Sequence, residues 1–125
     1  MSKFRKGSAL VILVALVALV AAVSALGGLG QQTATTNVAV TAGKPSELRF
    51  TLSRQTILKG TGVFKVTNRG KLPHNFKIAG KKTPILGTGK VSILRATFTK
   101  AGRYPYLCTV PGHAAGGMKG VLVVK

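Results

Sequence analysis

The distribution of apolar residues divides the chain into two parts. Residues 9–23 form an uninterrupted apolar run, which follows Lys3, Arg5 and Lys6 and precedes a Gly-rich polar stretch. From Val38 onward, apolar and polar residues alternate in short segments separated by turn-forming residues. Alternation with a period of two is typical of β-strands with one buried and one exposed face. The pattern therefore predicts an N-terminal hydrophobic helix followed by an all-β domain, a sandwich of about seven to eight strands.

The alternation also predicts the residues that face the core of this domain. They are Leu48, Phe50, Leu52, Phe64, Val66, Leu94, Ala96 and Phe98. In the predicted strand 74–78, His74 has the same parity as the apolar residues Phe76 and Ile78, so its side chain is expected to point inward. Cys108 has the same parity as Tyr106 and is expected to end a strand on its inward face.

Pro105 lies within this last strand. Proline has no backbone N–H to donate to a neighbouring strand, so its presence predicts an edge strand or a locally irregular one.

The N-terminal run predicts export from the cytoplasm. Basic residues before an apolar segment favour a cytoplasmic N-terminus, which places the rest of the chain outside. Val23-Ser24-Ala25 resembles a cleavage site, yet the run is also close to the length of a membrane span. Residues 1–26 are therefore interpreted as a signal peptide or an N-terminal membrane anchor, 27–37 as a flexible linker, and 38–125 as the folded domain. The predicted location is the periplasm or the outer face of the cytoplasmic membrane.

The charge of the chain excludes several classes of function. Its 19 Lys and Arg residues face a single acid, Glu47, which gives a formal charge of +18. Paired-acid hydrolysis, a Ser-His-Asp relay and oxygen-rich cation sites all need carboxylates that this chain lacks. The basic residues are scattered and accompany no zinc-finger spacing or basic helix, so nucleic acid is not an expected partner. An acidic protein or an anionic membrane surface is expected instead.

The residues with the most specific chemistry lie close together near the C-terminus. Cys108, His113 and Met118 are spaced as Cys-x4-His-x4-Met, and Pro111-Gly112 favours a turn between the first two. Thiolate, imidazole and thioether suit copper, and a blue-copper site needs two histidines. The other histidine in the chain is His74, 34 residues before the cysteine. Zinc, bound by the cysteine and histidines alone, is the competing metal, but methionine is not among its usual ligands.

These motifs resemble those of a known family, the cupredoxins of the plastocyanin/azurin type. The resemblance rests on residues 104–106 (YPY), on Pro111-Gly112-His113 within the Cys-to-Met loop, and on residues 62–76, GVFKVTNRGKLPHNF. The Cys-to-His spacing is similar to that of auracyanin-like and rusticyanin-like members. The resemblance implies a Greek-key sandwich in which the two histidines and Cys108 form a trigonal copper site with Met118 as a weak axial ligand. It also implies that Asn75 braces the ligand loop.

Such a site predicts a one-electron carrier rather than an enzyme. Both histidines and the cysteine are used as ligands, and Glu47 is far from them in sequence, so no proton-handling group remains for catalysis. The small residues around His113 make it the expected port for electrons, in a monomer with acidic redox partners. Copper storage or delivery is the alternative function. A domain of a multicopper oxidase or nitrite reductase is disfavoured because no further histidines exist for a second centre.

Overall fold

The computed structural model describes residues 33–125, which fold into nine β-strands in two sheets without a helix in this part of the chain. The strands are β1 (Ala34–Ala42), β2 (Phe50–Leu52), β3 (Thr56–Ile57), β4 (Gly60–Asn68), β5 (Lys77–Ile78), β6 (Lys81–Lys82), β7 (Val91–Phe98), β8 (Gly102–Leu107) and β9 (Lys119–Val124). The predicted N-terminal helix lies outside the described residues. Among residues 33–125, no helix is long and apolar enough to span a bilayer.

The first sheet has the strand order β2-β1-β4-β7. Strands β1 and β4 run parallel over nine residues, from Ala34 opposite Gly60 to Ala42 opposite Asn68. The other two pairings in this sheet are antiparallel. The inward faces of β4 and β7 carry the apolar residues that the alternation predicted, because each strand has one face against the core and one in solvent.

The second sheet has the order β3-β9-β8-β5-β6. Strands β8 and β9 are antiparallel neighbours, paired from Gly102 opposite Val124 to Leu107 opposite Lys119. The short strand β5 pairs with β8 only at its last two residues, Tyr106 and Leu107. Residues 108–118 therefore connect two adjacent strands and emerge at one end of the sheet.

One core lies between the sheets and contains side chains from both. Phe64 of the first sheet contacts Phe76, which in turn contacts Tyr106 of the second, with ring centroids 5.5 and 5.4 Å apart. A smaller buried cluster of Ala42, Cys108 and Met118 lies beside it. The architecture is thus an all-β sandwich, with the sulfur-containing residues buried next to the main core.

One detail differs from the sequence-based expectations, and a second makes one of them more specific. Strand β1 begins at Ala34 rather than Val38, so the last four residues of the predicted linker pair with β4. These four residues were assigned to the linker because of their small and polar composition, although two of them are threonines, which are β-branched and favour strands. In addition, β8 is an interior strand, yet Pro105 lies where it pairs with β9 alone, because β5 ends opposite Tyr106. Pro105 is thus at a local edge, where its missing N–H costs little.

Candidate metal centre

Three of the four predicted ligands lie on the connection between β8 and β9. Cys108 directly follows β8, Met118 directly precedes β9, and His113 lies in the turns between them. The backbone N–H of Cys108 donates to the carbonyl of Met118 at 3.1 Å, and that of Met118 donates to the carbonyl of His113 at 2.9 Å. These bonds fold the connection back on itself. We call residues 108–118 the ligand loop.

His74 reaches the same end of the sandwich from a different segment. Its backbone exchanges two hydrogen bonds with Leu86, at 3.1 and 2.7 Å. The predicted strand 74–78 is reduced to Lys77–Ile78. The backbone N–H of Asn75 donates to Cys108 Sγ, and that of Phe76 to the hydroxyl of Thr83, so neither is left for a strand partner. The predicted inward direction of His74 is confirmed, since the residue is fully buried.

The donor atoms of His74, Cys108 and His113 all lie within 4.8 Å of one another. The Nδ1 atoms of the two histidines are 3.1 Å apart, and Cys108 Sγ is 3.7 Å from His113 Nδ1. His74 and Cys108 are buried, whereas His113 is half-buried. Met118 is fully buried and packs in the same cluster as Cys108. The fold therefore brings two imidazoles and a thiol together, with a thioether residue packed against the thiol residue.

Asn75 connects the two segments that carry these ligands. Its side-chain Nδ2 donates to Thr109 Oγ1 and its Oδ1 accepts from the backbone N–H of Thr109, both at 2.7 Å. Its own backbone N–H donates to Cys108 Sγ at 3.5 Å. The Asn75 side chain is buried, and its contacts with Thr109 are partly buried. They hold the thiol of Cys108 at a fixed position relative to His74, which precedes Asn75 in the chain.

Glu47 is a site residue that the sequence analysis missed. Its Oε1 lies 2.7 Å from His74 Nε2, and its carboxylate also accepts from the backbone N–H groups of Lys71 and Leu72 at 2.9 to 3.0 Å. These two backbone N–H groups, together with His74, lower the pKa of Glu47 to about 2. The carboxylate approaches the far ring nitrogen of His74, not the donor atoms. It is 27 residues away in sequence, and no local motif signals the contact.

The electrostatics of the site favour neutral imidazole at His113. Burial lowers the pKa of His113, and the neighbouring His74 lowers it further. Unprotonated histidine is the form that binds a metal. Two nitrogen donors, one sulfur donor and a thioether neighbour form a set that suits copper better than hard cations, which prefer oxygen. The residues present thus fit a copper ion.

Comparison with known proteins agrees with this donor set. The family model for copper binding proteins of the plastocyanin/azurin family matches residues 36–125, well over half of the chain. The chain is a member of the plastocyanin/azurin family. This match confirms the cupredoxin resemblance seen in the sequence, and copper is the cofactor that the family and the His74-Cys108-His113 cluster support. A search of curated protein sequences found no match.

Solved structures of other cupredoxins are similar to this one. Auracyanin B is 21% identical, covers 78% of this chain and 93% of its own, and has a TM-score of 0.62. Auracyanin A, a blue copper protein from Chloroflexus aurantiacus, is 20% identical, with coverages of 74% and 100% and a TM-score of 0.59. Rusticyanin from Thiobacillus ferrooxidans is 26% identical, with coverages of 73% and 77% and a TM-score of 0.60. The auracyanins support the fold of this cupredoxin.

Proposed function

We propose that this cupredoxin carries single electrons between redox partners outside the cytoplasm, using a blue (type 1) copper centre. In this proposal His74, Cys108 and His113 are the principal ligands and Met118 is a weak axial ligand. The observation that carries the proposal is the convergence of the two imidazoles and the thiol within 4.8 Å at a largely buried position. When bound, copper supplies a one-electron couple between Cu(II) and Cu(I).

The protein's own contribution is to hold the ligands in place. Asn75 donates its backbone N–H to the sulfur of Cys108, and its side chain is bonded twice to Thr109. Backbone hydrogen bonds across the ligand loop fix Met118 relative to Cys108 and His113. Hydrogen bonds of this kind, made to the ligands by residues that do not bind the metal, orient the ligands and adjust the properties of the metal. A site that is already ordered needs little rearrangement when an electron arrives or leaves, which suits rapid transfer.

His113 is the ligand best placed to exchange electrons with a partner. It is half-buried, whereas His74 and Cys108 are buried. Pro111 and Ala115, on either side of it in the ligand loop, are exposed. Small apolar residues around a partly exposed ligand allow a partner to approach closely. Electrons would then cross this end of the sandwich, at the ring of His113.

The surface charge supports an acidic partner. All sixteen Lys and Arg residues among residues 33–125 are exposed, and Glu47, the single acid of the chain, is bonded to His74. A field of one sign accelerates encounters with partners of the opposite sign, and salt weakens it. Transfer to an acidic redox protein should therefore slow as the salt concentration rises. The hydrophobic run at residues 9–23 supports a location outside the cytoplasm.

The first experiment is to add Cu(II) to the purified full-length protein and record its visible and electron paramagnetic resonance spectra. We expect an intense thiolate-to-copper band and reversible one-electron reduction with the metal retained. The Cys108→Ser variant should lose the band, while Thr56→Ser, a conservative change at an exposed position, should keep it. A wild-type protein without the band would refute the blue-copper assignment. Ready loss of Cu(I) on reduction would instead favour copper storage or delivery.

A further inference from the structure

The connection between β1 and β2 contacts both the His74 segment and the ligand loop through three consecutive residues. Glu47 bonds to His74, Leu48 packs against the cluster of Cys108 and Met118, and Arg49 Nη1 donates to the carbonyl of Gly116 at 3.0 Å. We call residues 47–49 the clamp. The histidine segment and the ligand loop are distant in sequence, so the clamp joins the two sides of the site in addition to the bonds of Asn75.

The carboxylate of Glu47 is fixed independently of His74. Both of its oxygens accept from the backbone N–H of Lys71, and Oε1 also accepts from that of Leu72. The donors belong to the segment that leads into His74, so the carboxylate and the imidazole are held in one local frame. A carboxylate held by the backbone in this way can fix the orientation of the His74 ring.

The hydrogen bond to Glu47 also decides which nitrogen of His74 carries the proton. Nε2 is 2.7 Å from a carboxylate oxygen, which can only accept, so Nε2 must be the donor. The lone pair of the neutral ring is then at Nδ1, the atom that lies 3.1 Å from His113 Nδ1 within the donor cluster. The outer contact therefore presents the correct nitrogen to a metal.

Gly70 lies next to the contact between Glu47 and His74 and leaves space for it. A Cβ at position 70 would lie 3.0 Å from His74 Nε2 and would collide with Glu47 Oε1. The backbone at Gly70 does not adopt the left-handed conformation that requires glycine. A larger residue at position 70 would therefore displace the carboxylate from the ring of His74.

We propose that Glu47 is a positioning residue that orients His74 and lowers the reduction potential of the copper centre. The inference rests on the proposed electron-carrier function. The oxidised centre carries one more positive charge than the reduced centre, so an anion bonded to a ligand stabilises the oxidised form. All the other charged side chains among residues 33–125 are cations, which favour the reduced form. Glu47 is the one side chain whose charge opposes them.

The test compares two variants that change the net charge equally. Glu47→Gln removes the negative charge and keeps the shape of the side chain. Gln55→Lys adds one positive charge at an exposed position, beside Val123 near the end of β9 remote from the ligand loop. We expect Glu47→Gln to stay blue, with a reduction potential clearly higher than that of Gln55→Lys. The difference should persist at high salt, which screens distant exposed charges but not a contact against a buried ring.

Equal potentials for the two variants, or a difference that disappears in salt, would overturn the inference. Gly70→Ala provides a second measurement, because it keeps the charge but displaces the carboxylate from Nε2. Its potential should also rise, and its paramagnetic resonance spectrum should change as His74 is reoriented. An unchanged potential and spectrum in Gly70→Ala would contradict a positioning role. A colourless wild-type protein would refute the proposed function itself, whereas a blue protein insensitive to both changes would refute only the role of Glu47.

Discussion

The strongest stability prediction concerns the pair Asn75 and Thr109. Replacing Asn75 by Ala removes two side-chain hydrogen bonds of 2.7 Å. Each is worth about 0.5–1.5 kcal/mol net, and a buried N–H left without a partner costs about 1–3 kcal/mol. The N–H of Thr109 is only partly buried, so we take the lower part of that range. The free energy of unfolding should therefore fall by about 2–4 kcal/mol.

The assay is urea unfolding of the copper-free, reduced protein. For a small domain the unfolding free energy changes by about 1–3 kcal/mol per molar urea, so the midpoint should fall by roughly 1–3 M with little change in slope. Asn37→Ala is the matched control, because Asn37 is exposed on β1 and surface changes usually stay within about 0.5 kcal/mol.

A double-mutant cycle assigns the loss to the contact itself. Thr109→Val removes the hydroxyl and keeps the backbone N–H, so combining it with Asn75→Ala should cost less than the sum of the single changes. An Asn75→Ala variant no less stable than Asn37→Ala, or additive effects of Asn75→Ala and Thr109→Val, would contradict a stabilising contact between Asn75 and Thr109.

Two further predictions use other buried residues. Met118→Leu conserves volume at a fully buried position, so the copper-free protein should change in stability by less than about 1.5 kcal/mol. In the copper-loaded form the blue band should remain and the reduction potential should rise, because a weak donor to the oxidised metal is lost; an unchanged potential would argue that Met118 is not a ligand. Burial raises the pKa of Tyr106 above 10. The neutral phenol is thus favoured in the folded state, and its contribution to stability is present below pH 10 and lost as the pH rises through the folded-state value. Copper-free wild type should lose stability above pH 10 more steeply than Tyr106→Phe, and parallel pH profiles would contradict this.

The strand alternation and the ligand loop could be predicted because both depend on local sequence. Phe64 and Val66 on β4, and Leu94, Ala96 and Phe98 on β7, occupy the inward positions that a period of two assigns to them. The Cys-x4-His-x4-Met spacing lies on one connection, so its residues could not be far apart. For His74, the alternation of side chains predicted the inward direction correctly, even though residues 74–76 do not form a regular strand. The backbone N–H groups of Asn75 and Phe76 bond to Cys108 Sγ and to Thr83 instead of to a neighbouring strand, but the side chain of His74 still points inward.

The contacts that could not be predicted depend on the packing of distant segments. Glu47 precedes His74 by 27 residues, so the sequence did not indicate that it belongs to the site. The pairing of β1 with β4 places the connection after β1, which contains Glu47, beside the backbone of Lys71 and Leu72, which follow β4. Similarly, residues 34–37 show no alternation of apolar and polar residues that would predict a strand. Their strand conformation comes from the parallel pairing with β4, which sequence composition does not reveal.

The pairing of Leu107 with Lys119 marks the boundary between the sheet and the ligand loop. The eleven residues between them carry three of the four proposed ligands, and the sheet holds both ends of this segment in register. Lengthening a loop of this size by two residues costs only about 0.2 kcal/mol in closure entropy. The exposed middle of the ligand loop can therefore change in length at little entropic cost, provided that Cys108 and Met118 stay buried and Thr109 keeps its bonds to Asn75.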